Sequence, residues 1–123
     1  MSKYSSFTEL KIWQKSRIFR NEIFQITKKL PKEEKYRLVD QIIRSSRSIT
    51  ANIAEGHGKF YHKENIQSCR VARGELIETL DHLICAFDCN YIEKEKLKSL
   101  KEKIDEIHKM LNSYIKFLKT QIK

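Results

Sequence analysis

The segment best equipped for chemistry is Gly56-His57-Gly58-Lys59-Phe60-Tyr61-His62-Lys63, which interleaves two lysines, two histidines and two aromatics. That alternation suits nucleic acid, because ammonium groups hold phosphates while rings stack on bases. It also suits a plain joint between helices, with Phe60 and Tyr61 folded back over the core. The lysines favour the first use and the aromatics the second. Lys11, Lys15, Arg17 and Arg20 can extend the same basic surface. The candidate nucleic-acid residues are therefore Lys59, Lys63, His57, His62, Lys11, Lys15, Arg17 and Arg20.

A second constellation is polar and not basic. Gln41, Arg44, Ser48, Asn52 and Glu55 recur at spacings of 3, 4, 4 and 3, which places them on one helical face. A solvated face in so lysine-rich a chain would be expected to carry lysine. This one carries groups of short, fixed reach, as a subunit contact or a ligand surface does; a merely solvated face is the plainer alternative. Arg44 and Arg47 lie opposite in charge to Glu75, Glu78 and Asp81 further along. Ion pairs between these two groups are expected, within a subunit or between subunits.

Metal and nucleophile chemistry has little to work with. A di-iron bundle site needs Glu-x-x-His on two helices, and this sequence has none. Glu78 and His82 stand at i, i+4 and Asp105-x-x-His108 occurs once, each without a matching set. Cys85 and Cys89 share a helical face but no second ligand pair accompanies them. Gly56-His57-Gly58 is too short for a phosphate-binding loop. No serine or cysteine nucleophile stands beside a base. The expectation is a protein without catalytic residues, metal or cofactor.

Four helices must position these groups, at about 7–30, 32–55, 62–89 and 94–121. The first has apolar residues at Phe7, Leu10, Trp13, Ile18, Ile23, Ile26 and Leu30, and Pro31 breaks it. The second has a seam of Val39, Ile42, Ser46, Ile49 and Ile53 at spacings of 3, 4, 3 and 4, closed by Gly56 and Gly58. The third is lined by Cys69, Ala72, Leu76, Leu80, Leu83 and Phe87. The fourth alternates 3 and 4 from Leu97 through Leu100, Ile104, Ile107, Leu111, Tyr114 and Leu118, a heptad pattern. Four amphipathic helices with short joints make an all-α, antiparallel up-down four-helix bundle, a single domain over 1–123.

One proline and three glycines in 123 residues argue against a turn-rich β fold. No apolar run approaches the roughly 20 residues that a bilayer span requires, and no signal peptide is visible at the N-terminus. The expected location is the cytoplasm, where Cys69, Cys85 and Cys89 stay reduced as core or interface residues. The formal charge of +9 favours polyanions as partners; a soluble lysine-rich protein without a polyanion partner explains the same charge equally well.

That charge is unevenly spread. Residues 1–35 and 94–123 carry +5 each, whereas 64–93 carry −4. None of the 18 lysines lies between Lys35 and Lys59 or between Lys63 and Lys94. Buried interfaces avoid lysine and accept arginine, because a hydrated ammonium is costly to cover. The second and third helices are thus expected to face a partner as well as the core. A close-packed pair within one monomer explains the same distribution.

Phe7-Thr-Glu-Leu-Lys-Ile-Trp13-Gln-Lys, Leu30-Pro31 and Gln41-Ile-Ile-Arg44-Ser-Ser-Arg-Ser48-Ile-Thr-Ala-Asn52-Ile-Ala-Glu55-Gly56 resemble the 23S rRNA intervening-sequence protein family. Val71-Ala-Arg-Gly74-Glu-Leu-Ile-Glu78 and Asn90-Tyr91-Ile92 also look like its third helix and the following turn. Trp13, Gln41, Arg44, Ser48, Asn52, Glu55 and Gly56 match the family's positions. Arg37 stands where the family often has glycine, and Glu75 where it often has serine. The resemblance implies a four-helix bundle, commonly in a pentameric ring, with no established enzymatic activity. Distant relatives are accessory proteins of diversity-generating retroelements, which bind a reverse transcriptase and RNA. The expected partners are a further copy of the chain, RNA or DNA, and a reverse transcriptase, with no membrane.

Overall fold

The computed structural model describes residues 6–122. Its helices are α1 (Lys11–Thr27), α2 (Leu38–His57), α3 (His62–Asp88) and α4 (Lys94–Thr120), and no strand occurs among the described residues. Short connections make successive helices antiparallel. α2 and α3 pack most closely, α3 on α4 and α1 on α2 follow, and α1 and α4 touch least. This is the expected all-α bundle.

Helix periodicity decides what is buried. In α1 the core line is Ile12, Ser16, Phe19, Ile23 and Ile26, at spacings of 4, 3, 4 and 3. Ile18, counted among the apolar residues of the first helix, is 65% exposed and belongs to no core face. One residue is 100° of rotation, and that step separates it from buried Phe19. In α2 the seam Ile42, Ser46, Ile49 and Ile53 is buried as expected, with Val39 at its margin. In α4 the seam runs Leu100, Ile104, Ile107 and Leu111, then continues through Ile115 to Leu118. Tyr114 sits half-buried beside that line.

The ends of the helices differ from the sequence reading. The first begins with a 3-10 turn at Phe7–Glu9, capped by Ser6, whose Oγ accepts from the Thr8 N–H. Leu10 then turns extended and α1 starts at Lys11. A second 3-10 turn at Lys32–Glu34 follows Pro31, so α2 starts at Leu38. α3 ends in a Schellman turn. Asn90 adopts φ 64°, its N–H bonds to Phe87 O at 2.9 Å, and the Tyr91 N–H bonds to Ala86 O at 2.9 Å. The Tyr91 hydroxyl donates to Glu34 Oε2 at 2.9 Å, tying that turn to the start of α2. The accepting carboxylate pushes the phenol up to about 12.

The cysteines divide. Cys69 is buried, where loss of water pushes its thiol up to about 11. Cys85 and Cys89 are exposed and take no part in the core of the monomer. The α3 helix turns both outward at its last turns.

Candidate nucleic-acid interface

α2 ends because Gly58 closes it, its N–H shared between Ala54 O and Glu55 O at 3.2 Å each. The chain crosses to α3 through Lys59, Phe60 and Tyr61, all exposed, and α3 opens with exposed His62 and Lys63. The aromatics do not cap the core. Phe60 is 86% exposed and Tyr61 63%, and their rings meet edge to face at 4.8 Å. The expected cap fails because Ile53 and Ile66 already close the core at this end of the pair. His57 is half-buried on the last turn of α2. A groove of about 520 Å³ lies between the start of α3, at Tyr61, His62 and Lys63, and the end of α4 at Gln121 and Ile122.

The four cations on α1 fall on two faces. Lys15 pairs with Glu106 of α4 at 3.3 Å. Lys11 lines a groove with Leu10, Lys109 and Tyr114 on the same α1–α4 side. Arg17 and Arg20 face α2 instead. The Arg17 guanidinium lies 5.7 Å from the centre of the Trp13 ring, and Arg20 donates to Thr50 Oγ1 at 3.1 Å. Lys11 and Lys15 share the loop's end of the bundle, whereas Arg17 and Arg20 run down a separate groove.

The polar stripe on α2 is built as a network along the helix. Asn52 Nδ2 donates to Ser48 O at 2.9 Å and to Ser48 Oγ at 3.0 Å. Arg44 reaches α3, bonding Glu75 Oε1 at 3.5 Å and also Glu78 Oε2. Glu78 is held below the usual carboxylate range by its hydrogen bond to His82 and then by Arg44. The expected ion pairs between the second and third helices therefore form inside one chain. Arg47 does not join them. One turn further along α2, it is rotated toward α1 and lies 5.5 Å over the Phe24 ring. Gln41 and Glu55, at the two ends of the stripe, are exposed.

Sequence reasoning missed two features. Trp13, Arg17, Arg20 and Phe24 recur at spacings of 4, 3 and 4, which puts them on one face of α1 beside Arg47; the spacing was visible, but Trp13 and the arginines were assigned to different roles. The other is buried Asn65. Its Nδ2 donates to the Tyr114 hydroxyl at 3.3 Å and its Oδ1 accepts from Cys69 at 3.5 Å. No sequence signal separates such an asparagine from a surface one.

Among the described residues no group of three or more His, Cys, Asp or Glu could hold a metal, and no helix is long and apolar enough to cross a membrane. The family described as 23S rRNA-intervening sequence protein matches residues 8–113. The chain belongs to that family. Its fold is also that of a solved protein of unknown function from the S23 ribosomal protein family of Bacteroides thetaiotaomicron. The two share 33% identity, over 85% of this chain and 95% of that one, with a TM-score of 0.79. No curated protein matches. Within the 23S rRNA-intervening sequence protein fold, three of the family-like positions lie where α2 meets its neighbours. Arg44 and Gly56 face α3, and Trp13 of α1 lies against α2. The two departures are placed plainly. Arg37 is exposed just before α2, and Glu75 supplies a second carboxylate to Arg44 beside that of Glu78.

Proposed function

We propose that this chain is a non-enzymatic, homo-oligomeric accessory protein that binds nucleic acid, RNA before DNA, in the context of rRNA insertions or mobile elements. One observation carries the reading: the turn Lys59-Phe60-Tyr61-His62-Lys63 projects two exposed rings between two exposed lysines. Exposed aromatics have no packing reason to stay there, and bases give them one. The family's name supports RNA as the polyanion, and the +9 charge supports any.

The binding would be steeply salt-dependent, since neutralising phosphates releases counterions. The test is light scattering after gel filtration, repeated with a short RNA duplex and a single strand at two salt concentrations. The expected result is a multi-subunit ring that takes up RNA at about 50 mM salt and loses affinity by at least about tenfold at 200 mM. Replacing both turn lysines, Lys59→Gln with Lys63→Gln, is expected to weaken uptake without changing the mass of the assembly. An affinity that ignores salt would count against the reading.

A second reading is a scaffold for a protein such as a reverse transcriptase, without contact to nucleic acid. The surface of α2, and of α3 beyond Lys63, carries no lysine, and with Arg44 set against Glu75 and Glu78 it favours this reading. An oligomer that ignores every nucleic acid would move the case to this reading.

A further inference from the structure

The groove between α1 and α2 is lined by Arg20 and Arg47 and by no acid, and Arg17 stands next to it over the Trp13 ring. Arg17 lies over Trp13, Arg47 lies over Phe24 at 5.5 Å, and Arg20 reaches across to Thr50. Among the described residues, no carboxylate comes within ion-pairing distance of any of the three. Four cations of the bundle do have a carboxylate partner: Lys15, Arg44, Lys96 and Lys103. Here the guanidiniums are held by neutral groups: rings for Arg17 and Arg47, and for Arg20 the Thr50 hydroxyl and the Asn21 amide oxygen at 3.3–3.4 Å. Burial, then Arg17 and Arg47, lowers the pKa of Arg20, so the cluster repels itself. An anion in the groove relieves that repulsion and finds donors already in place.

The rest of the groove is mainly apolar. It is open to solvent, with a volume of about 480 Å³, Phe7, Trp13 and Phe24 along one wall and Ala51 and Ala54 on the α2 side. That volume lies in the range of small-ligand sites, about 300–1,000 Å³. We propose that this groove binds one unstacked nucleotide of a single-stranded nucleic acid, with its phosphate on Arg20 and Arg47 and its base against Trp13. The inference rests on the nucleic-acid reading above and deepens it, from polyanion to single strand. Bases of a duplex are stacked and paired, so their faces are closed to such a wall; single strands offer theirs to aromatics and guanidinium planes. Ala54 is one helical turn from Gly58, so a strand leaving the groove continues onto Lys59 and the exposed rings beyond it.

Trp13 is the chain's single tryptophan, so intrinsic fluorescence reports on this groove directly. The full chain is titrated with a twelve-nucleotide oligouridylate, with a blunt duplex of the same length, and with a glutamate peptide of matched charge. Labelled oligouridylate followed by anisotropy reports binding anywhere on the chain. The expected result is saturable quenching of Trp13 by the single strand, at least tenfold weaker for the duplex and absent for the peptide. Arg47→Gln and Arg17→Gln, both at exposed positions and checked for helicity, are each expected to weaken the quenching at least fivefold. Equal response to the duplex, or quenching indifferent to both variants, overturns the proposal. Equal response to the glutamate peptide overturns it in favour of an acidic protein segment. Anisotropy that senses Lys59→Gln while Trp13 stays silent refutes this groove and leaves the broader reading standing. Silence in both removes the two together.

Discussion

Gly56 is buried on the side of α2 that packs against α3. A Cβ built there would lie 2.6 Å from Asn65 Oδ1 and 2.8 Å from Ser68 Cβ. Both neighbours are buried, and Asn65 is already committed to Tyr114 and Cys69. The contact cannot be relieved by swinging a free side chain away. Gly56→Ala is therefore expected to cost about 1–3 kcal/mol, the usual range for overpacking a filled core, read as a shift in the denaturant midpoint. The helix gain of alanine over glycine offsets less than about 1 kcal/mol of that. Asn90 gives the opposite sign. It holds φ 64° in the turn after α3, a region glycine enters without steric penalty. Asn90→Gly is expected to hold or raise stability by a few tenths of a kcal/mol, and Asn90→Ala to lower it by about 1 kcal/mol. The sequence reading has Gly56 and Gly58 together close the helix. α2 in fact runs on to His57 and Gly58 stops it. A one-dimensional pattern shows where a breaker stands; it does not show how near the next helix passes.

At the scale of elements, the weakest joint is between α1 and α4, and charge holds much of it. Glu22 of α1 accepts from Lys96 at 2.8 Å and from Lys103 at 2.6 Å. Burial alone would raise its pKa, but the two ammonium groups outweigh burial and the net direction is down from 4.5. A carboxyl depressed on folding stabilises the native state above its ordinary pKa. That contribution is lost as pH falls through the folded value. Glu22→Gln is accordingly expected to cost about 1 kcal/mol at neutral pH. The gap between variant and parent should close in acid, below pH 4.5. Urea melts of both proteins across that window check it; a gap that stays constant would mean the glutamate acts through packing and not charge. The seams of α2 and α4 were legible because their apolar residues follow one face; in α3, Cys69, Ala72, Leu76 and Leu83 are buried as expected, while Leu80 and Phe87 are half-buried and Thr79 and Ala86 take the core positions. α1 was read less well, because it is apolar on two faces. Ile12, Phe19 and Ile23 fill the core while Trp13 and Phe24 wall a groove, and a list of apolar residues merges the two.

At the scale of the whole molecule, the outward face of α3 is unlike the other exposed faces. It carries no lysine from residue 64 to its end. It exposes Ile77 at 46% and Ile84 at 38%, and sets between them and Arg70 a helical glycine, Gly74, with nothing within 4 Å of where its Cβ would stand. An exposed glycine inside a helix costs about 1 kcal/mol relative to alanine. Nothing among the described residues repays it, whereas a second helix backbone laid against the face would. If the proposed oligomer uses this surface, two substitutions behave differently from ordinary surface changes. Ile77→Lys buries an ammonium at the contact and is expected to drop the mass seen by light scattering toward the 14.7 kDa of one chain, with helicity intact. Gly74→Ala is the sharper probe. In a free monomer face it stabilises by about 0.5–1 kcal/mol, and the melting temperature rises whatever the concentration. Against a packed neighbour, the added methyl group pushes the subunits apart. The protein then dissociates at higher concentration than its parent, while the isolated chain is more stable. A Gly74→Ala protein that gains stability and keeps its full mass would clear α3 of the contact and leave the stripe of Gln41, Ser48 and Asn52 on α2 as the surface to test.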